Sequence, residues 1–154
     1  MSVHQDFEDL LRCLNTVKAK YLIVGAHAVA VYSEPRYTKD LDIWVEATRE
    51  NALKVYEALK EFGAPIKNLK VEDLTNKELF YQIGVAPIRI DIIMGLKGVD
   101  FSEAWKNKKT TKFGKEHIYV LGLDDLVKTK KTAARPRDKE DLRKILKAKK
   151  LRKK

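Results

Sequence analysis

The sequence predicts a mixed α/β fold: one β-sheet covered by helices, with further helices at its C-terminal end. Three observations carry that prediction. A short apolar run, YLIV, ends at Gly25 and reads as a buried strand leading into a turn. DLDIWVE and PIRIDIIMG are rich in bulky apolar residues that alternate with charged ones, the pattern of half-buried strands. Around these segments lie stretches whose apolar residues recur at helical spacing.

Taken in order, Phe7 to Val17 has helical periodicity behind Asp6 as a cap. KYLIVG is the buried strand, and AHAVAVYSE, with Ala and Val at close intervals, is a short, tightly packed helix. EPRYT is a loop, because Pro35 biases Glu34 away from helical angles. DLDIWVE is a strand, and Thr48 caps a helix, ENALKVYEALKEF, that Gly63 closes. ELFYQIGV and PIRIDIIMGL read as an antiparallel pair turning around Ala86 and Pro87. FSEAWKN is a short helix and KTTKFGKEHIYVLG a hairpin with Gly114 at its turn. Leu123 to Ala134 is a long helix interrupted by Pro136, and Asp138 to Lys150 another. The main order is α, β, α, β, α, β, β, then helices. No repeat or linker divides it, so a single domain over 1–154 is expected, with a core of about 1–120, a C-terminal helical segment 121–154 and a tail that frays.

Composition narrows the class. A 154-residue chain with 44% apolar and 35% charged residues can build one hydrophobic core under a heavily charged surface. No apolar run approaches the roughly 18 residues a membrane helix needs, and MSVHQDFEDLLRCL lacks the pattern of a signal peptide. A cytoplasmic location, with no membrane partner, is the expectation. The single cysteine, Cys13, has no partner for a disulfide or a zinc site and falls among Phe7, Leu10, Leu11 and Leu14, which predicts a buried, inert thiol. The net charge of +10 is patchy, concentrated in KNKKTTKFGK and KILKAKKLRKK. It suits a polyanionic partner such as RNA, and equally a lysine-rich surface serving solubility.

Chemistry enters with Asp40 and Asp42. Two residues apart on a strand, they project from one face, while Leu41, Ile43 and Val45 point the other way into the core. Like charges about 7 Å apart on a half-buried strand need a compensating cation. Alone, such a pair more often marks a solvent-facing strand matched to Lys39 or Arg36. Asp91 raises the stakes, since its near neighbours are apolar except for Arg89, and burying a carboxylate is costly without a partner. A surface Arg89–Asp91 pair is one way to satisfy it. A strand beside Asp40 and Asp42 is the other, giving the three-carboxylate set that suits hard magnesium shared with phosphates. Gly25, at a strand-to-helix turn, would let phosphate oxygens approach free backbone N–H groups. Lys130 and Arg135 are cations that could face the cluster and hold a triphosphate, or else belong to a solvated lysine-rich face. His27 and His117 have no partner legible in the sequence.

The run GAHAVAVYSEPRYTKDLDI resembles the signature of the nucleotidyltransferase superfamily, in the branch of small bacterial and archaeal proteins related to AbiE-type toxins. The resemblance implies a mixed sheet flanked by helices, a triphosphate bound at Gly25 and Ala26 with Arg36 and Thr38 in the following loop, and magnesium, two ions, held by Asp40, Asp42 and Asp91. Manganese is a plausible substitute. The third carboxylate, Asp91, would also assist deprotonation of the attacking hydroxyl. The later run DLVKTKKTAARPRDKEDL resembles the same branch, matching Lys130, Arg135, Asp138, Asp141 and Leu142. Residues from Gly63 to Asn76 and the tail fall outside the likeness. The turn departs from the family's usual Gly-Gly or Gly-Ser by reading Gly25-Ala26, and Ser33-Glu34 stands where the branch often has glycine.

The expectation is therefore an enzyme that transfers a nucleoside monophosphate from a nucleoside triphosphate to a hydroxyl on RNA, such as transfer RNA, or on protein. Two rivals are weighed against it. One is an inactive transferase fold that binds a cognate partner in a toxin–antitoxin system, favoured by Ala26. The other is a basic RNA-binding domain whose acids are structural.

Overall fold

In the computed structural model, residues 3–33, 39–84, 89–133 and 143–147 are described. Helix α1 (Val3–Thr16) places Phe7, Leu10, Leu11 and Leu14 on one fully buried stripe, and Cys13 is buried beside them. Strand β1 (Tyr21–Val24) is buried along its whole length and passes directly into α2 (Gly25–Tyr32). Strand β2 (Asp40–Val45) buries Leu41, Ile43, Trp44 and Val45 and leaves Asp40 and Asp42 half-buried. The Thr48 hydroxyl accepts from the Asn51 N–H to start α3 (Arg49–Phe62), and Gly63, at φ 92°, ends it in the left-handed conformation.

The stretch after Gly63, where the sequence carried no clear signal, holds a 3₁₀ turn at Val71–Thr75. Strands β3 (Phe80–Ile83) and β4 (Arg89–Ile93) pair antiparallel as expected, though the turn at Ala86 and Pro87 lies outside the described residues. Helix α4 (Phe101–Lys106) is followed by the hairpin β5 (Lys109–Phe113) and β6 (Glu116–Val120), turning at Gly114. Helix α5 (Leu123–Ala133) comes next. Of the final expected helix, residues 143–147 are helical, with Ile145 fully buried.

Among the described residues the strands form one six-stranded mixed sheet in the order β3-β4-β2-β1-β6-β5. Strands β2 and β4 are parallel, as are β1 and β6, while β1 and β2 run antiparallel. The linear order anticipated for the chain omitted one point of topology: the second hairpin joins the same sheet, and β6 lies against β1 near its centre. Helices α1 and α3 pack on each other.

A buried polar residue fastens the frame. Asn51, 3% exposed, accepts from the Lys20 N–H at 2.7 Å and donates to the Lys20 and Glu46 carbonyls at 3.0 Å each. One side chain on α3 thereby ties the start of β1 to the end of β2. No helix among the described residues is long and apolar enough to cross a membrane.

Candidate active site

Register assembles the site. In the parallel pair β2–β4, Asp42 stands opposite Asp91 and Asp40 opposite Arg89. Residues directly opposite in a ladder share a face, and residues two apart on a strand do too, so all four charged side chains project together. On the other side of β2, Val24 is opposite Asp42, which brings the β1-to-α2 turn to the same end of the sheet. Gly25 takes φ 69° there, and a Cβ at this position would collide with the Asp42 carboxylate. Only glycine allows both that conformation and that closeness. Helix α2 begins without a side-chain cap, Val24 being the residue before it.

The carboxylates differ in setting. Asp42 has its pKa raised from 3.8 to about 6, first by burial, then by the charges of Asp91 and Asp40 and by a hydrogen bond with the Asp91 carboxyl; Arg89 pulls the other way. Asp40 is 43% exposed and pairs with Arg89, Nη2 to Oδ2 at 3.6 Å. Asp91 is 16% exposed and faces Arg89 Nε from Oδ2 at 3.7 Å. Asp91 Oδ1 is buried and has no hydrogen-bond partner among the described residues.

Arg89 is thus a member of the cluster. In the sequence it stood out only as a neighbour that could neutralise Asp91; the register adds Asp40 to its reach. Among the described residues no group of three or more His, Cys, Asp and Glu side chains is arranged to hold a metal ion. The adjacent pair Asp42 and Asp91 does fit magnesium, which is commonly held by one or two carboxylates together with substrate phosphates. The buried, unpartnered Asp91 Oδ1 is the oxygen such an ion would satisfy.

Of the other expected site residues, Ala26 is half-buried in the first turn of α2, and Lys130 is buried on α5, a helix that contacts α2. Arg36, Thr38 and Arg135 lie outside the described residues, as do Asp138, Asp141 and Leu142. The His27 ring packs edge-on against Phe7 at 5.4 Å and Phe113 at 6.0 Å, an environment of packing contacts.

No model of a known protein family matches the chain. No curated protein matches it either. Among solved structures it is similar to TM1012 of Thermotoga maritima, a candidate nucleotidyltransferase, with a TM-score of 0.58 over 92% of this chain and 90% of that one. The two are 21% identical, and the likeness establishes a shared fold, a mixed sheet flanked by helices.

Proposed function

We propose that the protein is a metal-dependent nucleotidyltransferase, moving a nucleoside monophosphate from a nucleoside triphosphate onto a hydroxyl with release of pyrophosphate. The observation that supports it most is the row formed by the Gly25 turn, Asp42 and Asp91 across adjacent strands. A turn that admits no side chain, an uncapped helix start and two touching carboxylates are what a magnesium-bound triphosphate needs.

In this reading the Gly25 and Ala26 N–H groups orient the phosphates, with Arg36, Thr38, Lys130 and Arg135 as further phosphate ligands. Asp42 and Asp91 hold magnesium or manganese, and Asp40 completes a two-ion set once Arg89 releases it. When bound, the metal neutralises the triphosphate and stabilises charge on the attacking and leaving oxygens. Asp91, with a buried, unpartnered oxygen among the described residues, accepts the proton of the incoming hydroxyl. RNA, such as a transfer RNA, is the favoured acceptor over a protein hydroxyl, given the net charge of +10. A cytoplasmic setting, where triphosphates and magnesium abound, suits this chemistry.

The test uses each of the four α-labelled nucleoside triphosphates with magnesium and total RNA or total protein. Wild-type protein transfers label and the Asp42→Asn variant does not. Absence of transfer from every nucleotide, with Asp40→Ala and Asp42→Asn indistinguishable from wild type, would sink the proposal.

Ala26 and the Arg89 bridge favour a second reading: an inactive fold that serves as the binding partner in a toxin–antitoxin pair. Calorimetric titration separates the two, since that module takes up no magnesium triphosphate.

A further inference from the structure

We infer that Arg89 is the resident counter-cation of the carboxylate cluster, a positioning residue that excludes a lone divalent ion and yields when the ion arrives with phosphates. This rests on the transferase reading above and concerns the order in which its ligands enter.

Placement comes first. Arg89 sits in register with Asp40 and two residues before Asp91, so its guanidinium reaches both, at 3.6 and 3.7 Å. A fixed positive charge at that point repels a second cation approaching the same oxygens.

The pairing is also loose. An arginine built to fasten carboxylates makes bidentate hydrogen bonds of about 2.7–2.9 Å. Both contacts here are longer than a hydrogen bond, and Arg89 Nε is buried with no hydrogen-bond partner among the described residues. Asp91 Oδ1 is equally unsatisfied. The guanidinium supplies charge without saturating the oxygens around it, so moving it breaks no side-chain hydrogen bond among the described residues.

Exchange needs a destination for Arg89. Guanidinium pairs well with phosphate oxygens, and a polyphosphate seated at the Gly25 turn would offer them nearby. A divalent ion alone offers Arg89 nothing. Metal uptake is therefore coupled to phosphate uptake.

The experiment follows manganese binding by the disappearance of the free-ion electron paramagnetic resonance signal. Wild type, Arg89→Gln and Arg89→Lys are compared with manganese alone and with manganese plus inorganic tripolyphosphate. Arg89→Gln should bind manganese alone at least about fivefold more tightly than wild type, the effect of removing one like charge some 4 Å away in a watery setting. Arg89→Lys, which keeps the charge, should stay near wild type. Adding Asp42→Asn to Arg89→Gln should erase the gain. Tight manganese binding that is equal in wild type and Arg89→Gln overturns the role of Arg89 and leaves the metal site standing. No manganese binding by any form, with or without tripolyphosphate, overturns the inference and the metal reading together. A measurement on unaltered protein guards against misfolded variants. The Arg89 Nε–H nuclear magnetic resonance signal should shift on adding magnesium with tripolyphosphate and hold still with magnesium alone. A signal unmoved by both, or moved equally by both, refutes the exchange.

Discussion

The two halves of β2 make opposite contributions to the same molecule. Its C-terminal half carries Ile43, Trp44 and Val45, all buried, and Trp44 meets Phe101 edge-on at 4.9 Å. Its N-terminal half carries Asp40 and Asp42, gathered with Asp91 on one face, and burial there works against the charged form. Alternation around Leu41 lets one strand do both, since its apolar positions hold the sheet while the aspartates between them strain it. The lesson is that the carboxylate row persists because the next row is packed well enough to carry it.

Breaking the packed half should have the largest effect on stability. Trp44→Ala removes the indole from its seat on Phe101 and should destabilise the protein by about 3–5 kcal/mol, read by urea unfolding. A loss under about 1 kcal/mol would show that this half carries no such weight.

Relieving the other half should move stability upward. The Asp42 carboxyl ionises near 3.8 when unfolded and near 6 when folded, so the native state favours its protonated form. Its contribution is fully present below about pH 4, declines as pH rises to about 6, and is absent above. Asp42→Asn should therefore gain about 3 kcal/mol over wild type at neutral pH and almost nothing at about pH 4. The same variant should lose label transfer. Equal stability differences at both pH values would mean that Asp42 is not held as described.

Two smaller changes sharpen the contrast. Asn51→Ala, outside both halves, leaves part-buried backbone groups at Lys20 and Glu46 without this partner and should cost about 2–3 kcal/mol without altering the pH response assigned to Asp42. Gly25→Ala forces a side chain into a left-handed backbone and against the Asp42 carboxylate. It should cost about 1–3 kcal/mol and abolish triphosphate binding by calorimetry. A variant that binds as wild type does would remove the turn from the site.

Much of this was legible in the sequence because it depends on near neighbours. Alternation in DLDIWVE and PIRIDIIMG located the strands and the faces of Asp40, Asp42 and Asp91, and Thr48 and Gly63 marked the ends of α3 through local hydrogen bonding and backbone freedom. Arg89 was visible as a neighbour of Asp91, but its reach to Asp40 is a matter of inter-strand register, which spacing along one strand cannot carry. Asn51 was not singled out by the sequence, because its partners, Lys20 and Glu46, belong to other segments. The pairing of β6 with β1 left no trace because an apolar strand looks alike at the centre and at the rim.

That last pairing joins distant parts of the chain. Ile23 lies beside Val120, and Asn15 donates to the His117 carbonyl, so the opening segment finds its neighbour only near the far end of the chain. During synthesis the strands bearing Asp42 and Asp91 emerge while β1 still has an open flank. Contacts so distant in sequence slow folding, and exposed strand flanks invite mispairing. The sheet that holds the carboxylate strands is complete only once this late hairpin has been made.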